Sequence, residues 1–367
     1  MKKRIVAIML CLSMTIALAA CGSSGKGDNA SGEKAKTEST SDEKKTGEKK
    51  KVRLALEASS HVLNVIAEEQ GYLEDEGIEV EYVPCSTYED AFTGLAGGKI
   101  DVLSNYGTNL PLQYIGKGTD ITIFGGYMIT GCMPVIAKAG TKWNGVEDLI
   151  GKKVAGLLVN YQVTGALLDM GYDPSTQVEW INLADMTDRV AAVKSGEADY
   201  AVLSTGYTYQ VQNDPSLELV AFCSDIMPDY SCCRVEANTD WVNENKDTVK
   251  SLLKAWLRAQ NWYEQNKEET AKLVAKQIGA SDEYAAAYVT NDHFKLNVDP
   301  YRSSIHRAWN YLGKLNALQD GYENIDLDSH INTDIYKEAL DECIDEHYDE
   351  APEFYDSQKK IYEENDL

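Results

Sequence analysis

From Val52 onward the chain alternates short apolar runs of strand type with stretches whose apolar residues recur every three or four positions. Residues 52–56 read as a strand. Val62, Leu63, Val65 and Ile66 then fall at helical spacing, and Gly71 interrupts near the helix end. Residues 78–83 alternate like a strand, 88–95 read as a helix stopped by Gly97 and Gly98, 100–103 as a strand, 109–115 as a helix and 121–124 as a strand. The order then starts again. A strand at 153–159 is followed by a helix at 163–170 closed by Gly171, a strand at 178–183, a helix at 187–195 and a strand at 201–203. Strand and helix at this short spacing predict βαβ crossovers and largely parallel sheets.

The two copies share punctuation. Gly98-Lys99-Ile100-Asp101 corresponds to Gly196-Glu197-Ala198-Asp199, each after a helix and before a buried strand. Each strand leads into a polar turn, Ser104 to Thr108 in one copy and Ser204 to Tyr207 in the other. A glycine at the helix end supplies positive φ. The unit is longer than the roughly 20–50 residues of a solenoid repeat, so two similar α/β lobes are predicted. Farther on, Val249, Leu252, Leu253, Trp256 and Leu257 mark an amphipathic helix, and 335–348 another. The exposed side of the second carries Asp341, Glu342, Asp345, Glu346, Asp349 and Glu350, read as a solvated face because no EF-hand spacing is present.

The N-terminus has a different pattern. Lys2, Lys3 and Arg4 precede an apolar run from Ile5 to Leu18, then Ala19, Ala20 and Cys21. Positive start, apolar centre and small residues before a cysteine make a secretory leader. It resembles a bacterial lipobox, which implies cleavage before Cys21 and lipid on its sulfur, an extracytoplasmic and membrane-anchored chain. Residues 22–51 are polar and lack aromatic and β-branched aliphatic residues, so they read as a flexible tether. The net charge is −24; residues 1–51 carry 11 Lys/Arg against 6 Asp/Glu, leaving −29 for the rest. Such acidity excludes a nucleic-acid partner. Of eight cysteines, Cys85, Cys132, Cys223, Cys232, Cys233 and Cys343 belong to the folded part. None forms C-x-x-C and no histidine stands at metal-ligand spacing, so no metal and no cofactor are expected; most read as small buried hydrophobes. Outside the cytoplasm a disulfide is allowed.

The ordered set HVLNVIAEEQGYLEDEG (61–77), AFTGLAGGKID (91–101), VEDLIGKKV (146–154), RVAAVKSGEAD (189–199) and NTDWVNENKDTVKSLLKAWLRA (238–259) resembles the solute-binding proteins of ABC importers for nitrate, sulfonates, taurine and thiamine-pyrimidine precursors. The resemblance implies a two-lobed periplasmic-binding-protein type II fold, with two crossing hinge strands and a ligand cleft between lobes. It implies a signal peptide at 1–20, a lipidated cysteine and tether at 21–51, and lobe 1 at 52–132 plus 233–340. Lobe 2 would be 133–232, and an acidic extension 341–367. The crossings would be 131–134 and 231–235. Partners implied are a small solute, a permease and its ATPase, and the membrane through Cys21, with the binding protein a monomer.

Ligands of open α/β sheets bind beyond the carboxyl ends of strands. That rule selects Glu57, Ser59, Ser60 and His61, then Ser86, Thr87 and Tyr88, then Asn105, Tyr106, Gly107 and Thr108. In the second copy it selects Asn160, Tyr161 and Gln162, then Ser204, Thr205 and Tyr207; Thr130, Asp229 and Tyr230 lie near the crossings. Hydroxyls and amides orient a polar solute and tyrosines make apolar walls. None of these turns carries Lys or Arg, which favours a neutral or weakly cationic molecule such as an aminated heterocycle over a sulfonate, taurine or nitrate. Two other classes stand beside transport. The thiamine-pyrimidine synthases share the fold, and Cys232-Cys233 with His61 weakly echoes their cysteine-rich run and histidine. An adhesin fits the leader but not the twin-lobe repeat. No nucleophile elbow, P-loop or zinc motif supports an enzyme.

Overall fold

The computed structural model describes residues 49–56, 60–85 and 87–367. The leader, Cys21, Glu57, Ser59 and Ser86 lie outside the described residues. The strands are β1 (Lys50–Leu56), β2 (Ile78–Pro84), β3 (Val102–Leu103), β4 (Ile121–Gly126), β5 (Met128–Thr130), β6 (Pro134–Lys138), β7 (Lys153–Ala155), β8 (Glu179–Ile181), β9 (Tyr200–Val202), β10 (Leu217–Phe222), β11 (Arg234–Asn238) and β12 (Lys295–Leu296).

Two five-stranded sheets have the same order. One runs β2-β1-β3-β11-β4, the other β8-β7-β9-β6-β10. In each, the first three strands pair in parallel and the fourth is antiparallel to both neighbours. That fourth strand is the one arriving from the other sheet: β6 completes the second sheet, and β11 returns to complete the first. Each sheet is therefore closed by a strand that is also a crossing. A short β5–β12 pair stands beside the outgoing crossing.

The repeated Gly-x-x-Asp has a mechanical meaning. Gly98 and Gly196 are left-handed, at φ 65° and 85°. The next aspartate then doubles back on β1 in one sheet and on β7 in the other. Asp101 N–H donates to the Arg53 carbonyl at 2.9 Å, while its carboxylate accepts from Arg53 N at 2.8 Å and Nε at 2.9 Å. Asp199 does the same to Lys153, at 2.8 and 2.9 Å. The expected strand 153–159 ends at Ala155, however, because Asn160 Oδ1 accepts from Leu157 N at 3.0 Å and folds the segment into a turn. The strands expected at 100–103, 178–183 and 201–203 are also shorter or displaced by a residue or two, as β3, β8 and β9.

Beyond β11 the chain is helical. Helix Lys246–Gln265 buries Val249, Leu252, Leu253, Trp256 and Leu257 completely. Helix Thr333–His347 packs on it, and Phe354, Tyr355 and Tyr362 of helix Pro352–Asn365 join the same core. Residue 341 thus falls inside a helix. Its acidic face is partly engaged: Lys254 Nζ lies 2.8 Å from Glu346 and 3.4 Å from Glu342, and also 3.3 Å from Glu76. Helix Arg302–Lys314 packs on both helix Asn109–Ile115 and helix Tyr161–Asp169, so this C-terminal segment touches both halves.

The chain end is held by a carboxyl pair. Asp366 accepts from Arg302 N at 2.8 Å and Asp299 from Tyr301 N at 2.7 Å. The second oxygen of each is buried without an N–H donor. Burial raises both carboxyls above the usual range; Asp366 lifts Asp299 further, well above it, while the hydrogen bond with Asp299 opposes the rise at Asp366, and one shared proton satisfies both. A folded value above the unfolded one gives stability that is complete below the unfolded carboxyl pKa and lost as pH rises through the folded value. Asp366→Asn, which cannot ionise, is therefore expected to exceed the parent by about 1 kcal/mol at pH 8, with the advantage vanishing toward pH 4. Urea denaturation across that range measures it.

Candidate functional site

The strand-end turns of both sheets gather around the crossings. In the first half, Ser60 is left-handed at φ 64° and buried. Its hydroxyl donates to Gln277 Oε1, and its carbonyl accepts from Asn105 Nδ2 at 3.3 Å and the Tyr127 hydroxyl at 3.4 Å. His61 caps helix Val62–Glu69, its Nδ1 accepting from Asn64 N at 3.0 Å. The ring is stacked between Tyr127 and Trp256, with centroids 4.2 and 4.6 Å away. Burial pushes its pKa down to about 3, so the imidazole is neutral with its proton on Nε2. Tyr88, exposed, meets the buried Tyr106 edge to face at 5.5 Å. Thr87 caps the helix that Tyr88 opens, accepting from Asp90 N at 3.1 Å. Gly107 is left-handed at φ 78°, and a Cβ there would meet Asn109 Oδ1 at 2.9 Å.

The second half reaches the same place. Tyr161 opens its helix with the hydroxyl buried, its one proton shared between the carbonyls of Tyr230 and Ser231, each at 2.7 Å. From the first half, Thr108 Oγ1 donates to the same Ser231 carbonyl at 2.6 Å. One carbonyl of the return crossing therefore accepts from both sheets. Tyr230 ties the two crossings together, since its hydroxyl accepts from Gly131 N at 2.9 Å and donates to Gly131 O at 3.0 Å. Asp229 and Ser231 flank it in left-handed conformations, φ 47° and 59°, at a cost of about 1–3 kcal/mol each. Thr130 Oγ1 donates to the His293 carbonyl at 2.9 Å. Thr205 lies against Gly131, where a Cβ would come 2.5 Å from Thr205 Oγ1.

Comparison with known proteins now adds the family. A family model described as NMT1/THI5 like matches residues 58–271. The chain belongs to the NMT1/THI5-like family. No curated protein matches it by sequence. Among solved structures, the periplasmic aliphatic sulphonate binding protein SsuA from Escherichia coli is similar at TM-score 0.65 and 17% identity, covering 78% of this chain and 99% of that one. The periplasmic nitrate-binding protein NrtA from Synechocystis PCC 6803 is similar at TM-score 0.66 and 18% identity, covering 80% and 89%. The desulfurization enzyme DSZB is similar at TM-score 0.55 and 15% identity, covering 80% and 99%. The fold of this NMT1/THI5-like chain is that of the two-lobed periplasmic binding proteins.

Several residues selected for ligand binding thus have other occupations in this family member. Thr108, Tyr161 and Tyr230 bolt the crossings, Thr130 holds the His293 segment, and Asn160 closes its own turn. Gln162 Nε2 points at Met133 Sδ at 3.8 Å, and the Tyr207 hydroxyl lies 3.4 Å from Thr187 Oγ1. Asp229 stands apart. Its carbonyl accepts from Arg307 Nη2, and it borders a cavity of ≈ 770 Å³ with Tyr301, Ser303, Ser304, Arg307 and Glu364, which none of the other selected residues lines. Sequence reading missed Tyr127, Ser231, Gln277 and Trp256. Tyr127 directly follows β4, so the strand-end rule could have chosen it; Ser231 lies in the expected return crossing and Trp256 in the expected apolar stripe, and Gln277 carries no local signal.

The shared carbonyl makes a quantitative expectation. Either Thr108→Val or Tyr161→Phe leaves Ser231 O one donor, at about 1 kcal/mol each; the double variant strips a buried acceptor. Its loss in urea denaturation should exceed the sum of the singles by about 1 kcal/mol or more, and simple additivity would show the clamp does not act as one unit.

Proposed function

We propose that this chain is the extracytoplasmic solute-binding lipoprotein of an ABC importer, not an enzyme. It captures a small polar molecule between two lobes and presents it to a permease worked by an ATPase. The observation that carries the reading is the convergence of strand-end turns from two equivalent sheets on a pair of crossings bolted at Ser231. This arrangement suits opening and closing about a fixed line. Family membership and the fold support it.

An aminated heterocycle is the favoured solute class. The described turns contain no Lys or Arg side chain, and the nearby buried guanidinium of Arg234 spends its Nη donors on the carbonyls of Met128, Asp299 and Pro300. The exposed Tyr88 ring, set edge to face on buried Tyr106, offers an apolar surface beside these turns. The second reading, a sulfonate, taurine or nitrate, draws on the names of the similar sulphonate- and nitrate-binding proteins. A thermal-shift panel separates them. Saturating aminopyrimidine at 100-fold over Kd adds about 2.7 kcal/mol, a rise of several degrees. A rise with alkanesulfonate or nitrate and none with aminopyrimidines overturns the solute class. No saturable rise with any small molecule would favour an adhesin, and consumption of a bound pyrimidine would favour a synthase.

The anchor is a separate element of the proposal. Lipid on Cys21 predicts that the wild-type chain takes up labelled fatty acid and sediments with membranes. Cys21→Ser should lose the label, and unlabelled wild-type protein would refute the anchor.

A further inference from the structure

Three sulfur atoms meet where the crossings run side by side. Cys232 Sγ lies 3.9 Å from Met133 Sδ and 3.7 Å from Cys233 Sγ. Met133 follows the outgoing crossing and the cysteines precede β11, 99 positions later. Among the described residues no group of three His, Cys, Asp or Glu side chains is placed to hold a metal, so a site here depends on the thioether. A metal about 2.3 Å from each of three sulfurs in a plane spaces them about 4 Å apart. The two distances from Cys232, 3.9 Å to Met133 and 3.7 Å to Cys233, match that spacing. Thiolate and thioether sulfurs are soft ligands that select monovalent copper over zinc and hard cations.

The surroundings suit an entering ion. Met133 and Cys232 are half-buried, with Cys233 buried behind them. A Cβ on Gly131 would stand 3.3 Å from Cys232 Sγ, so the bare backbone there leaves the sulfur room. Cys233 Sγ lies 3.7 Å from Cys232 Sγ and 3.6 Å from Asn105 Oδ1. Gln162 Nε2, 3.8 Å from Met133 Sδ, braces the thioether.

We propose that Met133, Cys232 and Cys233 form a three-sulfur site for a soft monovalent cation of the copper(I) class. Two Cu–S bonds form as the thiol protons of Cys232 and Cys233 leave to solvent, and Met133 contributes a lone pair to the third. No electron is transferred. The buried Arg234 guanidinium, next in sequence, offsets the single negative charge that two thiolates and one copper(I) leave.

The test titrates the full, reduced chain anaerobically with copper(I) buffered by a chromophoric chelator, without added solute, so that it does not depend on the transport reading. One copper per chain is expected, with X-ray absorption showing three sulfurs at about 2.3 Å. Cys232→Ser should abolish stoichiometric binding and Cys343→Ala should leave it unchanged. Met133→Leu, which conserves volume and keeps the test informative if Cys232→Ser misfolds, should weaken it at least tenfold. Binding that survives Cys232→Ser, equal affinity in Met133→Leu, or zinc bound as tightly as copper(I) would overturn the site.

Discussion

The carbonyl of Ser231 is the point through which the two halves are joined. A carbonyl oxygen has two lone pairs, and here Thr108 fills one from the first sheet and Tyr161 the other from the second. Both donors are buried, so neither is replaceable by water without exposing the crossings. The clamp also explains the backbone around it. Left-handed Asp229 and Ser231 turn the return crossing so that the Tyr230 hydroxyl reaches Gly131 while the neighbouring carbonyls face Tyr161. Strain at two residues is offset by several buried hydrogen bonds, each expensive to leave unmade.

Much of the architecture was legible because it is local. Helix periodicity, the glycine stops and the Gly-x-x-Asp repeat are all written within a few residues, and the repeat marks the aspartates that clasp β1 and β7. Strand lengths were less legible. The apolar run 153–159 has the composition of a strand, yet Asn160 competes for the Leu157 N–H and ends it early. The strand-end rule selected Thr108 and Tyr161 but did not show their hydrogen bonds to Ser231. Their partner lies 123 and 70 residues away, and no local pattern says whether a hydroxyl meets a solute or a crossing strand.

The C-terminal segment shows the same limit at a larger scale. Helix Arg302–Lys314 has an evident apolar stripe, but its partners belong to both halves. Ile305 and Leu312 share one core with Leu103 and Ile121 of the first sheet, with Val135 of the second and with Tyr161 and Val163 of helix Tyr161–Asp169. Gly165 permits the approach: a Cβ there would lie 2.9 Å from the Tyr311 ring. The Tyr311 hydroxyl donates to Asp169 from the same face. A strap over both halves, not a tail on one, is what this packing makes.

Clamp and strap differ in what relative motion would cost. The clamp donors sit on side chains that reach one fixed carbonyl, so rotation about the crossings changes their angle before it breaks them. The strap meets the second half through the Tyr311 ring over Gly165, through the Tyr311 hydroxyl on Asp169 and through the shared core. Separation of the halves would expose the apolar core they share, at about 25 cal/mol per Å². A rotation that keeps the shared core together is therefore cheaper than any motion that parts the halves.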